Sequence, residues 1–425
     1  MKDIAEKSLF DIPVSWKTLL WILVILGIGM FIAGLMTGGE ESVVRTWQAF
    51  LINTVFWGGI AHAGVIFAVI WQITDAKWGR AFKRLAEACA GFLPISFLMF
   101  MVVFFGSHVL YEWTHTPFLH HGEAVKQGWL NLPFFISRNV FWLLLIYGIS
   151  YWFVKTSIKP DIALARRLIG SDWGGKFADW VLEDYGEHET EVIRLEKLSR
   201  KIAPVLAFVY SIGGSFLAWD FVMTLDQTWF STLFGVFVMI GNMHAFLGLM
   251  LVVAVTVRQK FGIEEYISIN RLHDLAKMTF AFSLLWTYMG YSQYIVIWYA
   301  DLPEETPYLI IRSMNAPWNT LFLVIILWVF VSVFLGLLPR TLCRMPNYIR
   351  LMGIWVMLGQ LLSVYIMVVP SLQHDGHYHI FMGMHELLIT LGFVGAFFLC
   401  YLAFLGKLPI LPISDKHLCR TWHGH

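Results

Sequence analysis

The sequence predicts an all-α polytopic membrane protein, and three observations carry that fold class. Of 425 residues, 58% are hydrophobic, 16% aromatic and only 14% charged, a balance that leaves a soluble globule too little polar surface to cover its apolar one. Apolar runs of about 20 residues, the length a helix needs to cross about 30 Å of hydrocarbon, recur along the whole chain. Lys and Arg collect in alternate connections between those runs, as the positive-inside rule requires of a multi-pass protein.

The runs place ten transmembrane helices in one integral membrane domain, at about 18-37, 47-72, 87-109, 133-155, 202-223, 230-257, 275-299, 317-338, 348-369 and 381-405. The first run, Thr18 to Met36, is long enough to span and is followed by no small-residue cleavage pattern, so it reads as a retained helix and not a signal peptide. Ten spans put both termini on one side. All but four of the 30 Lys and Arg, namely Arg45, Lys126, Arg138 and Arg312, lie in the termini or the even-numbered connections, which assigns that side to the cytoplasm.

Helix seven shows the logic at a single exit. It enters at Arg271 and Lys277, runs through SQYIVIWYADLPEET (292–306), and meets outer water at Asp301, Glu304 and Glu305. Trp298 and Tyr299 fall where an interfacial aromatic belt belongs, and Pro303 and Pro307 stop the helix.

The longest polar piece, 156–201, carries nine Lys or Arg when Lys155 is counted, mixed with acids, and reads as an amphipathic cytoplasmic connector. Within it GSDWGGKF (170–177) has a Gly-x4-Gly-Lys skeleton, but Phe177 stands where a phosphate loop needs Ser or Thr, and no strand precedes it. Four cysteines, Cys89, Cys343, Cys400 and Cys419, lie far apart with no CxxC pair. That removes the usual thiolate spacing for an iron–sulfur cluster or zinc, so a metal redox centre has to come from a partner.

An internal repeat links helices two and six. TWQAFLINTVFWGGIAHAG and TWFSTLFGVFVMIGNMHAF match at Thr46, Trp47, His62 and Ala63 against Thr228, Trp229, His244 and Ala245. The next helix opens with Arg84, Leu85 and Glu87 in one copy and Arg271, Leu272 and Asp274 in the other. Copies four helices apart share an orientation, like the parallel repeats of some transporters. The repeat predicts two four-helix bundles, helices 2-5 and 6-9, flanked by helices 1 and 10.

Ionisable side chains within hydrocarbon are functional candidates. At about 1.5 Å per residue, His62 and His244 lie about 22 Å from their interfacial tryptophans. A haem between two histidines needs both on facing helices of one bundle, which the repeat does not provide; a proton relay and structural hydrogen bonding stay open. On helix seven Thr287, Tyr288, Tyr291 and Ser292 form a polar stripe, with His273, Asp274 and Lys277 at its cytoplasmic mouth. Hydroxyls both donate and accept, so such a stripe suits a proton half-channel as well as interhelical packing. Asp220 lies in the last turns of helix five, followed by Asp226, and His385 and Glu386 lie just inside helix ten. Outer-loop histidines, His115, His120 and His121 in one loop and His374, His377 and His379 in another, are dense enough to ligate zinc or copper or to be simple surface groups.

The stretches WGGIAHAGVIFAVIWQITDAKWGRAFKRLAEA (57–88), GSFLAWDFVMTLDQTWFSTLFG (214–235) and the run from Asn270 to Thr306 carry a resemblance. Together they resemble the NrfD-like integral membrane subunits of bacterial alternative complex III, a quinol oxidoreductase, and among these the ActF type. The likeness covers most of the chain, with one departure at Phe221, where a Trp is usual. It implies ten helices in two bundles in the bacterial cytoplasmic membrane. It implies a paralogous quinol-binding subunit, an iron–sulfur subunit and haem-c subunits as partners, with delivery to a cytochrome or a terminal oxidase. No redox cofactor is expected in this chain itself, no metal and no nucleic acid. A quinone site would need donors converging in an apolar cleft, and His62, Asp220 and Tyr291 are the side chains of suitable chemistry.

The sequence therefore supports a scaffold that conducts protons. His273, Asp274 and Lys277 load them, His244, Tyr288, Tyr291 and Ser292 relay them, and Asp220 stands toward the exit, with Glu87 and His62 serving the other bundle. An independent secondary transporter and a purely structural anchor are the competing readings.

Overall fold

The computed structural model describes residues 13–36, 39–116, 126–170, 172–373, 379–415 and 418, with the backbone alone of 119, 120, 123 and 124. Long helices dominate, and nine of them are long and apolar enough to cross a membrane among the described residues. The chain is a multi-pass membrane protein. Among the described residues the one ladder is a two-residue pair, Leu119–His120 against Glu123–Ala124.

The long helices are α1 (Val14–Met36), α2 (Glu40–Ile73), α3 (Trp78–Phe105), α4 (Leu132–Ile169), α5 (His188–Phe221), α6 (Phe234–Phe261), α7 (Ile269–Ala300), α8 (Trp318–Leu337), α9 (Pro346–Val368) and α10 (Met384–Leu405). All but α7 belong to the nine. Several start or end well outside the apolar runs that announce them. The connector at 156–201 is largely helical: α4 continues through Pro160 to Ile169, a short helix covers Gly175–Leu182, and α5 begins at His188. Helix propagation needs no apolar residues where a turn meets water or buries an ion pair, so hydropathy marks the slab and not the helix ends.

Local chemistry sets several boundaries. The Asn131 side chain accepts from the Phe134 amide at 3.0 Å and caps α4, and Ser268 caps α7 through the Arg271 amide. Asp301, at φ 46°, ends α7 in the left-handed region just before Pro303. Residues 172–174 form a turn into the short helix at Gly175–Leu182, tied by Arg166, which donates to the carbonyls of Trp173 and Gly175 and to Asp179.

The helices pack as neighbours in a recurring order. α4 lies along α5, and both α3 and α5 lie along α2; α6 lies along α9 and α7; α6 also meets α2 and α5; α1 runs along α10, which reaches α2. Small residues permit the closest approaches. A methyl group on Gly27 of α1 would sit 2.5 Å from Cα of Gly392 on α10. α2 is the axis: almost every side chain from Thr46 to Val69 is buried. α1 is the opposite case, presenting Leu19, Trp21, Ile25 and Ile28 outward.

A Gly392→Leu substitution is expected to force α1 off α10 and destabilise the protein by about 1–3 kcal/mol. Thermal unfolding in detergent should show a lowered midpoint. Gly29→Leu, at a site with nothing within 4 Å, should leave the midpoint unchanged.

Candidate functional site, a column of buried ionisable groups

Burial inside α2–α5 concentrates the ionisable side chains at three levels. The first lies where α3 starts and α4 ends. α3 is wound irregularly there, a 3-10 turn at Trp78–Phe82, an α-turn at Lys83–Glu87 and another 3-10 turn at Ala88–Phe92. Such winding redirects carbonyls, and the hydroxyls of Tyr401 and Tyr151 donate to those of Leu85 and Ala90, both at 2.8 Å. Arg84 Nε bonds Asp161 at 2.6 Å, its Nη1 bonds Glu87 and the Ser157 hydroxyl, and its Nη2 bonds the Ser157 carbonyl at 2.8 Å. Asp161 also accepts from the backbone amide and hydroxyl of Ser414. One guanidinium thus serves two carboxyls, all three buried, and Glu87 Oε1 keeps no hydrogen-bond partner among the described residues. A cleft of about 150 Å³ lined by Arg80, Lys83, Arg84 and Asp415 leads to this cluster.

At the second level His62 of α2 stands edge-on to the Tyr147 ring, with centroids 4.8 Å apart, and faces Tyr210 at 6.0 Å. Tyr147 in turn shares a 2.8 Å hydrogen bond with Ser96. His62 Nε2 has no partner among the described residues. It lines a cavity of about 40 Å³ together with Tyr210 and Asn242, enough room and polarity for water.

The third level closes the far end of the column. Asp220, fully buried, receives Arg138 on both oxygens, at 2.6 and 2.7 Å, and the Asn139 amide at 2.8 Å. Arg138 also donates to the Trp129 carbonyl and lies over the Trp129 ring, 4.1 Å from its centroid. Asp226, close in sequence, accepts from the Thr228 and Trp229 amides and makes the turn into α6. Outside the helices burial pushes the Lys126 ammonium below its usual range, against the pull of Asp226 and Glu304.

The second half is built differently. His244 shares a 2.8 Å bond with Gln360 of α9 through Nδ1, and its Nε2 is bare among the described residues. Among the described residues no carboxyl bonds it. The repeat thus places two buried histidines alike but not their acids: Glu87 is sealed inside, whereas Asp274 lies at the surface paired with Lys277 at 3.0 Å, and His273 lines an open cleft beside them.

The stripe on α7 lies on its exposed side. Tyr288 and Tyr291 are 62% and 60% exposed, and Ser292 returns its hydroxyl to the Tyr288 carbonyl. The buried face of α7 carries Leu272, Ala276, Thr279, Ser283 and Trp286 at helical spacing, so it is Thr279 and Ser283 that face inward. Ser283 donates to the Val329 carbonyl at 2.7 Å, inside the π-helical turn Ile326–Ser332 of α8. His62, Asp220 and Tyr291 do not converge on a quinone cleft either, since Asp220 is spent on Arg138 and Tyr291 faces outward.

Among the described residues no group of three His, Cys, Asp or Glu can hold a metal ion; His115 bonds the His108 carbonyl. His121, His374 and His377 lie outside the described residues, and His120 is described by its backbone alone. Sequence reasoning missed Asp161, Arg138 and Gln360 as partners. Arg138 carried a signal, being a cation inside an apolar run, where it needs a buried acid or backbone carbonyls as partner.

No protein-family model matches this chain, and no curated protein matches it.

Arg138→Met leaves the Asp220 carboxylate buried without its counter-ion, and is expected to cost about 3–5 kcal/mol in denaturant or thermal unfolding. Combining it with Asp220→Leu should recover most of that loss, because an apolar pair of similar volume replaces the ion pair.

Proposed function

We propose that this chain is an NrfD-like membrane subunit of a respiratory quinol oxidoreductase of the alternative complex III type, and that its α2–α5 bundle conducts protons. In this reading α7 is the tenth span: its 32 residues reach about 48 Å at 1.5 Å per residue. α2–α5 and α6–α9 are the two four-helix bundles, with α1 and α10 at their flank, and the neighbour relations among the helices support that layout. The lysine- and arginine-rich end faces the cytoplasm of a bacterium, and the termini lie there too. Iron–sulfur and haem-c subunits, with a paralogous quinol-binding subunit, supply the redox chemistry.

The observation that carries the proton reading is the column itself, with Glu87, His62 and Asp220 buried in succession within one bundle. Keeping three ionisable groups in a hydrophobic slab is costly unless each is paired or wet, and two of them still hold a bare oxygen or nitrogen, Glu87 Oε1 and His62 Nε2. Those atoms are where a proton or a water can be taken up. A proton entering by the Arg80 and Lys83 cleft reaches Glu87, passes by water to His62, and leaves past Asp220. Arg138 holds Asp220 as its counter-ion and opposes cation leakage along the same route. The resemblance motivates the respiratory assignment; the column motivates the conduction.

In proteoliposomes of the intact complex, Glu87→Gln is expected to reduce quinol-driven proton translocation at least about tenfold, the effect of losing one proton-transfer group, while electron transfer persists. Unchanged translocation would refute the route. Purification separates this reading from a free-standing transporter: haem-c and iron–sulfur absorbance should co-purify with the chain, and a transporter would come alone.

A further inference from the structure

A second cavity, independent of the proton column, lies between α2, α9 and α10, and we infer that it binds a neutral amphiphile, a molecule with one hydroxyl- or carbonyl-bearing head and an apolar tail. The cavity measures about 500 Å³, within the range of sites that hold small organic ligands. Its walls are mostly apolar, formed by Ile52, Leu361, Leu362 and Val369 among others. Leu387 and Met384 at its rim are exposed, so the mouth opens on the surface that apolar chains would reach.

The polar groups decide what head fits. Asn53, only 1% exposed, spends both amide hydrogens, on the Ala49 carbonyl at 2.8 Å and the Thr390 hydroxyl at 3.0 Å. Its Oδ1 is buried with no partner among the described residues and remains an acceptor. The Gln48 amide, 3% exposed and on the same wall, has no hydrogen-bond partner among the described residues, so it offers both donors and an acceptor. The bare Asn53 Oδ1 carries a free-energy cost that a ligand hydroxyl, donating to it, would recover.

Charge argues against an anionic head. The one cation on the wall, Arg45, is closed on Glu386 by bonds of 2.8 and 2.7 Å and lies over the Phe381 ring. Glu386 is itself held by the Gly383 amide at 2.8 Å. A phosphate would have to sit against that carboxylate, whereas a neutral carbonyl can accept from the Gln48 amide and a neutral hydroxyl can also donate to Asn53 Oδ1. Two sources share this chemistry: an alkyl-substituted benzoquinone or quinol, and a diacylglycerol.

The test titrates the purified protein in detergent with decylbenzoquinone, dioctanoylglycerol and dioctanoyl phosphatidylglycerol, reading bound ligand by native mass spectrometry. Saturable binding of one or both neutral probes, weakened about tenfold by Gln48→Leu as expected for a lost buried hydrogen bond, supports the site, and the probe that binds identifies the source. Leu387→Trp fills the mouth from an exposed position, so it leaves folding intact and should weaken binding as well. Phosphatidylglycerol binding as tightly as the neutral probes overturns the inference, as does a failure of both neutral probes to bind, or equal binding to both variants.

Discussion

The enclosure of α2 by protein on every side governs what the rest of the molecule can be. A helix so enclosed has no lipid face and no water face, so each polar residue it carries must find a partner inside the fold or stand bare at a high free-energy cost. Gln48, Asn53 and His62 all stand on that helix. His62 looks into the α2–α5 column and Asn53 into the outer cavity, so both candidate sites follow from one enclosed element. The surrounding helices are positioned by close backbone approaches at small residues, as at Gly248 of α6, where an added methyl would lie 2.8 Å from the Gly353 carbonyl of α9.

The two halves keep the repeat in their backbones and lose it in their electrostatics. Trp47 and Trp229 are both buried, and so are His62 and His244. In the first half Arg84 and Arg138 meet carboxyls at the two ends of the column. In the second, Arg312 finds none within bonding distance among the described residues: it donates to the carbonyls of Ile366, Met367 and Tyr308 and to Ser371, and lies 3.4 Å from the centroid of the Tyr308 ring, which stacks on Trp229. An arginine satisfied by helix-end carbonyls is a structural clamp, while one shared by two acids leaves an oxygen for other traffic. That contrast is why the proposed conduction is placed in α2–α5, while in α6–α9 His244 and Gln360 make an internal polar contact.

Apolar run length was enough to find every long helix, because the membrane imposes one length on all of them. Helix ends escaped it: the turns after Lys155 and before Lys201 obey amphipathic packing and ion pairing, with Asp161 drawn inside by Arg84. Buried ionisable groups were legible one at a time, as Glu87, His62 and Asp220 show, but their partners were not. Pairing depends on which helices meet, and Arg138 and Asp220 are distant in sequence yet bonded. Which face of α7 is buried was hard to read for a related reason. Tyr288 and Tyr291 are amphipathic enough to lie at an outer surface, and the run Leu272, Leu275, Ala276, Thr279 and Ser283 held the better periodicity for the buried face.

The central claim is that Glu87 changes protonation as the complex turns over, and carboxyl-region infrared difference spectra during quinol oxidation test it most directly. A protonated-carboxyl band that shifts in heavy water and vanishes in Glu87→Gln is the result this account requires. An unaltered carboxyl region, with turnover intact, would contradict it and leave the buried acid as an ion-pair partner of Arg84 alone.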